Sequence, residues 1–246
     1  MNKTAAALAL GAACLAQPLA AQSFSRNPNP PDKTTGQVRL DRAPLAQQTI
    51  TQSTSTTVVA GSISCNAGGL HADNSYYRGM TLSTFPALTL PQFLVQQVTI
   101  GVEQANASGT GTTQPITLRT WSATANPISG APDPPGATQT STDAFQVADQ
   151  TLSLLPLTIA TQPTYLVASG ILAVEIFTPN GQTAGHSFFI GSNALGQSGP
   201  SYIKSAPCGV ANITDTAGIG FPNMHIVMSV LGNNQTPVEL QSFDVQ

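Results

Sequence analysis

The sequence predicts an all-β fold: an antiparallel two-sheet sandwich, jelly-roll-like, with eight or nine strands. Three observations predict it. Segments rich in β-branched and aromatic residues recur along the chain, separated by turn signals. Charged residues make up only 8% of the sequence, against about 25% in an average globular protein. That depletion of Lys and Glu removes the propensity and the i,i+4 pairs on which surface helices lean. Hydrophobic residues, at 41%, are still enough for a core.

Residues 1–21 read as a signal peptide. Lys3 supplies a basic start, Ala5 to Ala16 carry no charge, and Ala20 and Ala21 are the small residues of a cleavage site. The apolar stretch falls short of the about 20 residues a membrane span needs. Residues 22–54 read as a polar, flexible leader with room for one strand near its end. It contains RNPNPPDKTTGQ and holds Arg26, Lys33, Arg39 and Arg42, four of the chain's 8 basic residues.

The domain is expected over 55–232. Its strands are TTVVAGSIS (56–64), SYYRGMTL (75–82), FLVQQVTIGVE (93–103), ITLRTWS (116–122), TLSLLPLTIA (151–160), YLVASGILAVEIFT (165–178), HSFFIGS (186–192) and MHIVMSVLG (224–232). The proline in 151–160 predicts an edge or a bulge there, and Gly170 predicts a bend in the sixth strand. IFTPNGQTAGHSFFIG reads as one hairpin with a long loop. No internal repeat is visible, which argues against a propeller or solenoid. Residues 233–246 form a polar C-terminal tail.

Of the 3 cysteines, Cys14 falls in the signal peptide, leaving Cys65 and Cys208. Outside the cytoplasm two cysteines pair. They stand about 140 residues apart, for which the chain-entropy argument gives about 5 kcal/mol of stabilisation.

The formal charge of −3 offers nothing to attract nucleic acid or anionic lipid. Serine-hydrolase chemistry on an α/β fold would need GxSxG, and Gly196-Gln197-Ser198-Gly199 and Gly185-His186-Ser187 do not match it. His71 and Asp73 could donate two zinc ligands, but nothing in the sequence brings His225 to them. Glu103 and Glu175 both end strands, so a glycosidase pair is conceivable on paper. Calcium is the cofactor the sequence best accommodates. Asn66, Asp73 and Asn74 follow Cys65, Asn212 and Asp215 follow Cys208, and a disulfide would make the two loops neighbours. The competing reading of Asp73, Asn74 and Asp215 is Asx-turn chemistry. Sugar binding would use exposed aromatics: Trp121, and one of Tyr76 and Tyr77, whose adjacency points them to opposite faces. The competing reading places Trp121 in the core.

The stretches SISCNAGGLHADNSYYRGMTL, QVTIGVEQA, QPITLRTW and VEIFTPNGQTAGHSFFIGSN resemble a β-sandwich domain of secreted, often multidomain, bacterial surface proteins. The resemblance covers roughly residues 55–245. TPVELQSFDV is similar to the linker before sorting signals in such proteins. The resemblance implies secretion and a sandwich and brings no catalytic residues. The expectation is therefore a secreted extracellular, cell-surface or periplasmic module with a structural, adhesive or binding role and no catalysis. Its partners would be extracellular protein or glycan, without nucleic acid and without membrane insertion after signal cleavage. A carbohydrate-binding module ranks second and a secreted glycoside hydrolase third.

Overall fold

The computed structural model describes residues 47–108 and 111–236. The signal peptide, residues 22–46 of the leader and the tail from 237 lie outside the described residues.

The chain opens with β1 (Gln47–Thr51), then the short β2 (Asn66–Ala67) and β3 (Leu70–His71), and β4 (Asn74–Thr81). The long β5 (Gln92–Asn106), β6 (Thr113–Ala123), β7 (Thr138–Ala148) and β8 (Gln150–Thr158) follow. Next come β9 (Thr164–Leu166), β10 (Ile171–Thr178), β11 (Ser187–Ile190) and β12 (Ser192–Asn193). The last strands are β13 (Ser201–Ser205), β14 (Val210–Asp215), β15 (His225–Ile226) and β16 (Met228–Gln235).

Two six-stranded antiparallel sheets result. In the first, β16 and β11 flank one side of β5, β1 pairs with β16, and β8 and β9 flank the other side of β5. The second has the order β14-β13-β4-β10-β6-β7. Val98, Ile100 and Val230 of the first sheet share one core cluster with Tyr76, Leu118 and Val174 of the second, so the sheets pack face to face.

Several expectations change. Eight or nine strands become twelve in the two sheets. The unpredicted ones, β7, β13 and β14, are either largely polar (TQTSTDAFQVA) or very short, so their periodicity is weak. The sheets already include β1, ahead of the expected start at 55, and Ile50, 1% exposed, is a core residue. Residues 56–64 form no regular strand; Val59 bridges to Ser192 of β12, and side chains of β4 and β5 hold Gly61, Ser62 and Ile63. Residues 165–178 divide at the expected Gly170 bend into β9 and β10, which belong to different sheets. The hairpin expected over 176–191 is an arch, since β10 and β11 also lie in different sheets. In β5 the inward set is Phe93 and Val95, then Val98, Ile100 and Val102. A bulge opposite Leu231–Gly232 absorbs Gln96 and switches the phase. As the proline suggested, β8 lies at the sheet margin and pairs only with β5.

Where β11 and β16 meet along β5, three backbones converge. Gly101 donates to the Val227 carbonyl, Gly191 to that of Gly101, and Val227 to that of Gly191, at 2.7–2.9 Å. A Cβ on Gly191 would stand 2.4 Å from the Gly101 carbonyl carbon, so only glycine fits there.

The second sheet is covered on its outer face too. The loop 124–137 between β6 and β7 folds back over β4, β13 and β14. The Gly130 amide donates to the Ile213 carbonyl (2.9 Å) and the Ile213 amide to that of Ala131 (2.8 Å). Ile128, 0% exposed, packs with Tyr77, Ala173, Tyr202 and Ile213 in a second small core. Burying such a side chain contributes about 1.5–3 kcal/mol.

Candidate functional site

A cleft of about 520 Å³ opens between the two sheets, bounded by β11 of one and β13–β14 of the other. Phe189, Ile203, Val210, Ile219 and Phe221 supply its apolar surface, and the Cys65–Cys208 disulfide forms part of its wall. Ser62, Ser64 and Asn66 supply polar edges, and no charged side chain lines it.

Local chemistry holds each wall. The segment 61–65 is pinned because Glu103 accepts from the amides of Gly61 (3.1 Å) and Ser62 (2.7 Å). The Cys65 amide donates to Asn74 Oδ1 at 2.8 Å, and the Tyr76 hydroxyl donates to the Ile63 carbonyl at 3.2 Å. The opposite wall is a 3₁₀ turn, Thr216–Ile219, capped by Asp215 Oδ1, which accepts from the Ala217 amide at 2.9 Å. The Phe221 amide closes that turn onto the Thr216 carbonyl, leaving the phenyl ring 43% exposed at the rim. Beyond it lies a second hollow of about 320 Å³ beside Val59, itself 41% exposed.

The residues singled out for calcium do not gather. Asp215 is level with Tyr202, which is level with Tyr77, four residues along β4 from Asp73. At about 3.3 Å per residue that offset alone is roughly 13 Å. Asp73 Oδ1 accepts from the Asn180 amide at 2.7 Å. Asn74 spends its amide on Cys65, Ala72 and Ser64. Among the described residues no three His, Cys, Asp or Glu side chains come together as a metal cluster. Glu103 and Glu175 lie in different sheets and answer to different partners, Glu103 to the Gly61 and Ser62 amides and Glu175 to Ser75, Arg119 and Trp121.

The aromatic expectation changes as well. Tyr76 and Tyr77 do point to opposite faces, yet both are 0% exposed. The adjacency argument assumed a bare outer face, and the 124–137 loop covers it. Burial raises both phenols well above their ordinary value, reinforced for Tyr77 by the nearby Glu175 carboxylate. Trp121 is half-buried at the margin of the covered face and donates Nε1 to Glu175 Oε2 at 3.2 Å. Glu175, 2% exposed, also accepts from Arg119 (2.9 Å) and Ser75 (2.8 Å). Arg119 lies over the Phe177 ring, 4.9 Å from its centroid.

No protein-family model and no curated protein matches the sequence. A solved structure is similar in part. It contains the cysteine protease and lectin-like domains of Cwp84, a surface layer associated protein of Clostridium difficile. The identity is 8% and the TM-score 0.45, over 77% of this chain and 36% of that one. The present chain thus spans about a third of its length, and nothing in the site rests on the likeness.

The histidines serve the scaffold. His225 Nδ1 accepts from the Gly196 amide at 3.0 Å. His71, 1% exposed, places Nδ1 3.1 Å from the His186 carbonyl and Nε2 2.9 Å from that of Pro179. A neutral imidazole carries one N–H and serves only one of them. Burial nevertheless pulls its pKa below the ordinary 6.5, outweighing the two carbonyls. The unfolded chain therefore takes up the proton first as pH falls. The stability this histidine contributes is complete above about 6.5 and is lost from there down to the folded-state value. Urea midpoints should fall between pH 7.5 and 5.5, and the fall should be smaller in His71→Gln. An equal slope in both would mean His71 does not carry it.

Proposed function

We propose that the protein is a secreted extracellular or cell-surface module that binds another extracellular protein by taking one of its apolar side chains into the cleft between the sheets. The uncharged, apolar character of that cleft carries the reading. A charged ligand gains nothing there, whereas an aliphatic or aromatic group gains about 25 cal/mol for each Å² removed from water. The partly exposed Phe221 at the rim has the position of an anchoring aromatic. The disulfide supports an oxidising compartment, in agreement with the signal peptide read over residues 1–21, and the neutral surface suits a structural or adhesive role.

The test uses N-phenyl-1-naphthylamine, an uncharged apolar fluorophore, titrated into the intact protein. Saturable fluorescence enhancement is expected at one site. Phe221→Asp and Ile219→Asp should each weaken it at least tenfold, which is about 1.4 kcal/mol. Unsaturable enhancement, or enhancement indifferent to both substitutions, would remove this cleft as the binding site.

A further inference from the structure

A different cleft, of about 330 Å³, lies where the loop 196–200 meets the end of β4 and the start of the 124–137 loop. Its chemistry is the opposite of the apolar one. Gln52, Thr81, Asn126, Ser198 and Tyr202 line it, with Pro127 and Pro200 as apolar walls. No charged side chain is among its lining residues.

One polar atom at this cleft, Gln52 Oε1, is buried without a hydrogen bond. Gln52 is 7% exposed. Its Nε2 donates to the Gly79 carbonyl at 2.9 Å, which fixes the amide orientation and leaves Oε1 unpaired. The Tyr202 hydroxyl, 0% exposed, lies against the Ile128 backbone behind the cleft wall. Burial pushes that phenol up to about 12, so at neutral pH it keeps its proton as a donor. Buried polar groups are nearly always paired, so an unpaired amide oxygen in a cleft wall calls for a partner from outside.

Neighbouring groups extend the pattern. Asn126 spends Nδ2 on the Gly79 carbonyl (3.2 Å) and Thr81 Oγ1 (3.1 Å), which leaves Oδ1 to accept. Thr81 accepts that bond and keeps its own proton to donate. Ser198 is exposed at the rim. The wall is held close by Gly199, where a Cβ would come within 2.1 Å of Gln52 Nε2.

We propose that this cleft binds a neutral saccharide, its hydroxyls pairing with Gln52, Asn126, Thr81 and Ser198. Mixed donors and acceptors without charge match hydroxyls, each of which donates and accepts at once. An apolar ligand would strand these groups, and an ion would find no counter-charge. The volume lies at the low end of ligand pockets, enough for a small part of a glycan. This site is separate from the apolar cleft and does not depend on it.

The experiment is calorimetric titration of the intact protein with neutral gluco-, manno-, galacto- and xylo-configured oligosaccharides, and with an acidic oligogalacturonide. Saturable binding of at least one neutral sugar is expected. Ser198→Trp, at an exposed position that the fold tolerates, should fill the cleft and weaken binding at least tenfold with an unchanged unfolding midpoint. Asn126→Leu should weaken it as well, and Phe221→Asp should leave it intact. The proposal is overturned if no neutral sugar binds, if the oligogalacturonide binds as tightly, or if binding survives Ser198→Trp.

Discussion

Arg78→Ala is expected to destabilise the protein by about 4 kcal/mol, combining lost charged hydrogen bonds with the cavity left by a large side chain. Arg78 is 0% exposed in the middle of β4, and among the described residues no carboxylate pairs with it. Its guanidinium is satisfied by oxygens instead. Nη1 donates to the Gly199 carbonyl and to Gln197 Oε1, both at 2.7 Å, and Nε donates to the Ile226 carbonyl at 3.1 Å, where Nη2 also donates. Burial lowers its pKa from 12.5 to about 10, which leaves it charged at neutral pH. The fork ties the loop 196–200 and β15 to β4.

Three variants separate its contributions. Arg78→Met keeps much of the volume and removes the charge, and should cost about 2 kcal/mol, mainly from stranding the Gly199 carbonyl. Gln197 keeps a donor in Ser201, and Ile226 keeps one in Ser53. Arg78→Lys retains a charge without the planar fork, so it should cost at least as much as methionine. Urea unfolding measures all three. A methionine variant as stable as the parent would show that the fork contributes no net stability and that the loop is held by other contacts. Because Gly199 walls the polar cleft, the same variants should also weaken saccharide binding.

How far the sequence could be read follows from the physics of each element. Strands with one face in the core and clear β-branched content, such as β5, β6 and β10, were legible. So was the disulfide, since Cys65 and Cys208, the two cysteines beyond residues 1–21, allow one pairing. Illegible were the consequences of a single loop. The turn-rich segment 124–137 reads as a surface connection, and nothing in its composition says that it folds over a sheet. Yet it buries Tyr77 and Tyr202 and removes the aromatic platform that the Tyr76–Tyr77 adjacency suggested.

The polar cleft was invisible for a different reason. Gln52 falls in the stretch that reads as leader, and Thr81, Asn126, Ser198 and Tyr202 come from segments far apart in the chain. Uncharged amides and hydroxyls carry no signature when scattered, and only the pairing of β4 with β13 brings Gly79 and Tyr202 into one neighbourhood. Asp73 directly precedes β4, Asn74 opens it and Asp215 ends β14. Their oxygens answer to backbone amides at three separate points: Asp215 caps the amide two residues on, which is Asx chemistry, whereas Asp73 and Asn74 accept from Asn180 and Cys65, far along the chain.

Replacing both cysteines, Cys65→Ser with Cys208→Ser, is expected to cost about 5 kcal/mol, the chain-entropy value for a closed loop this long. The bridge spans 143 residues and encloses most of both sheets, from β2 to the turn between β13 and β14. Net stabilities of whole domains run from about 5 to 15 kcal/mol, so the variant should lie near the limit of folding at 37 °C. Cys208 is exposed while Cys65 is buried, so a reductant reaches the bridge from the side of the 3₁₀ turn Ala206–Cys208. Where the reduced chain stays folded, the segment 61–65 keeps its bonds to Glu103 and Asn74 but loses its covalent tie across the apolar cleft. Binding of N-phenyl-1-naphthylamine should then weaken under conditions that leave saccharide binding unchanged. Urea midpoints of the parent and the double variant measure the stability. A loss below about 1 kcal/mol would mean that the reduced, unfolded chain already holds these segments close, so that the cross-link removes little of its entropy. In that case the disulfide would matter to this protein mainly as a wall of its binding cleft.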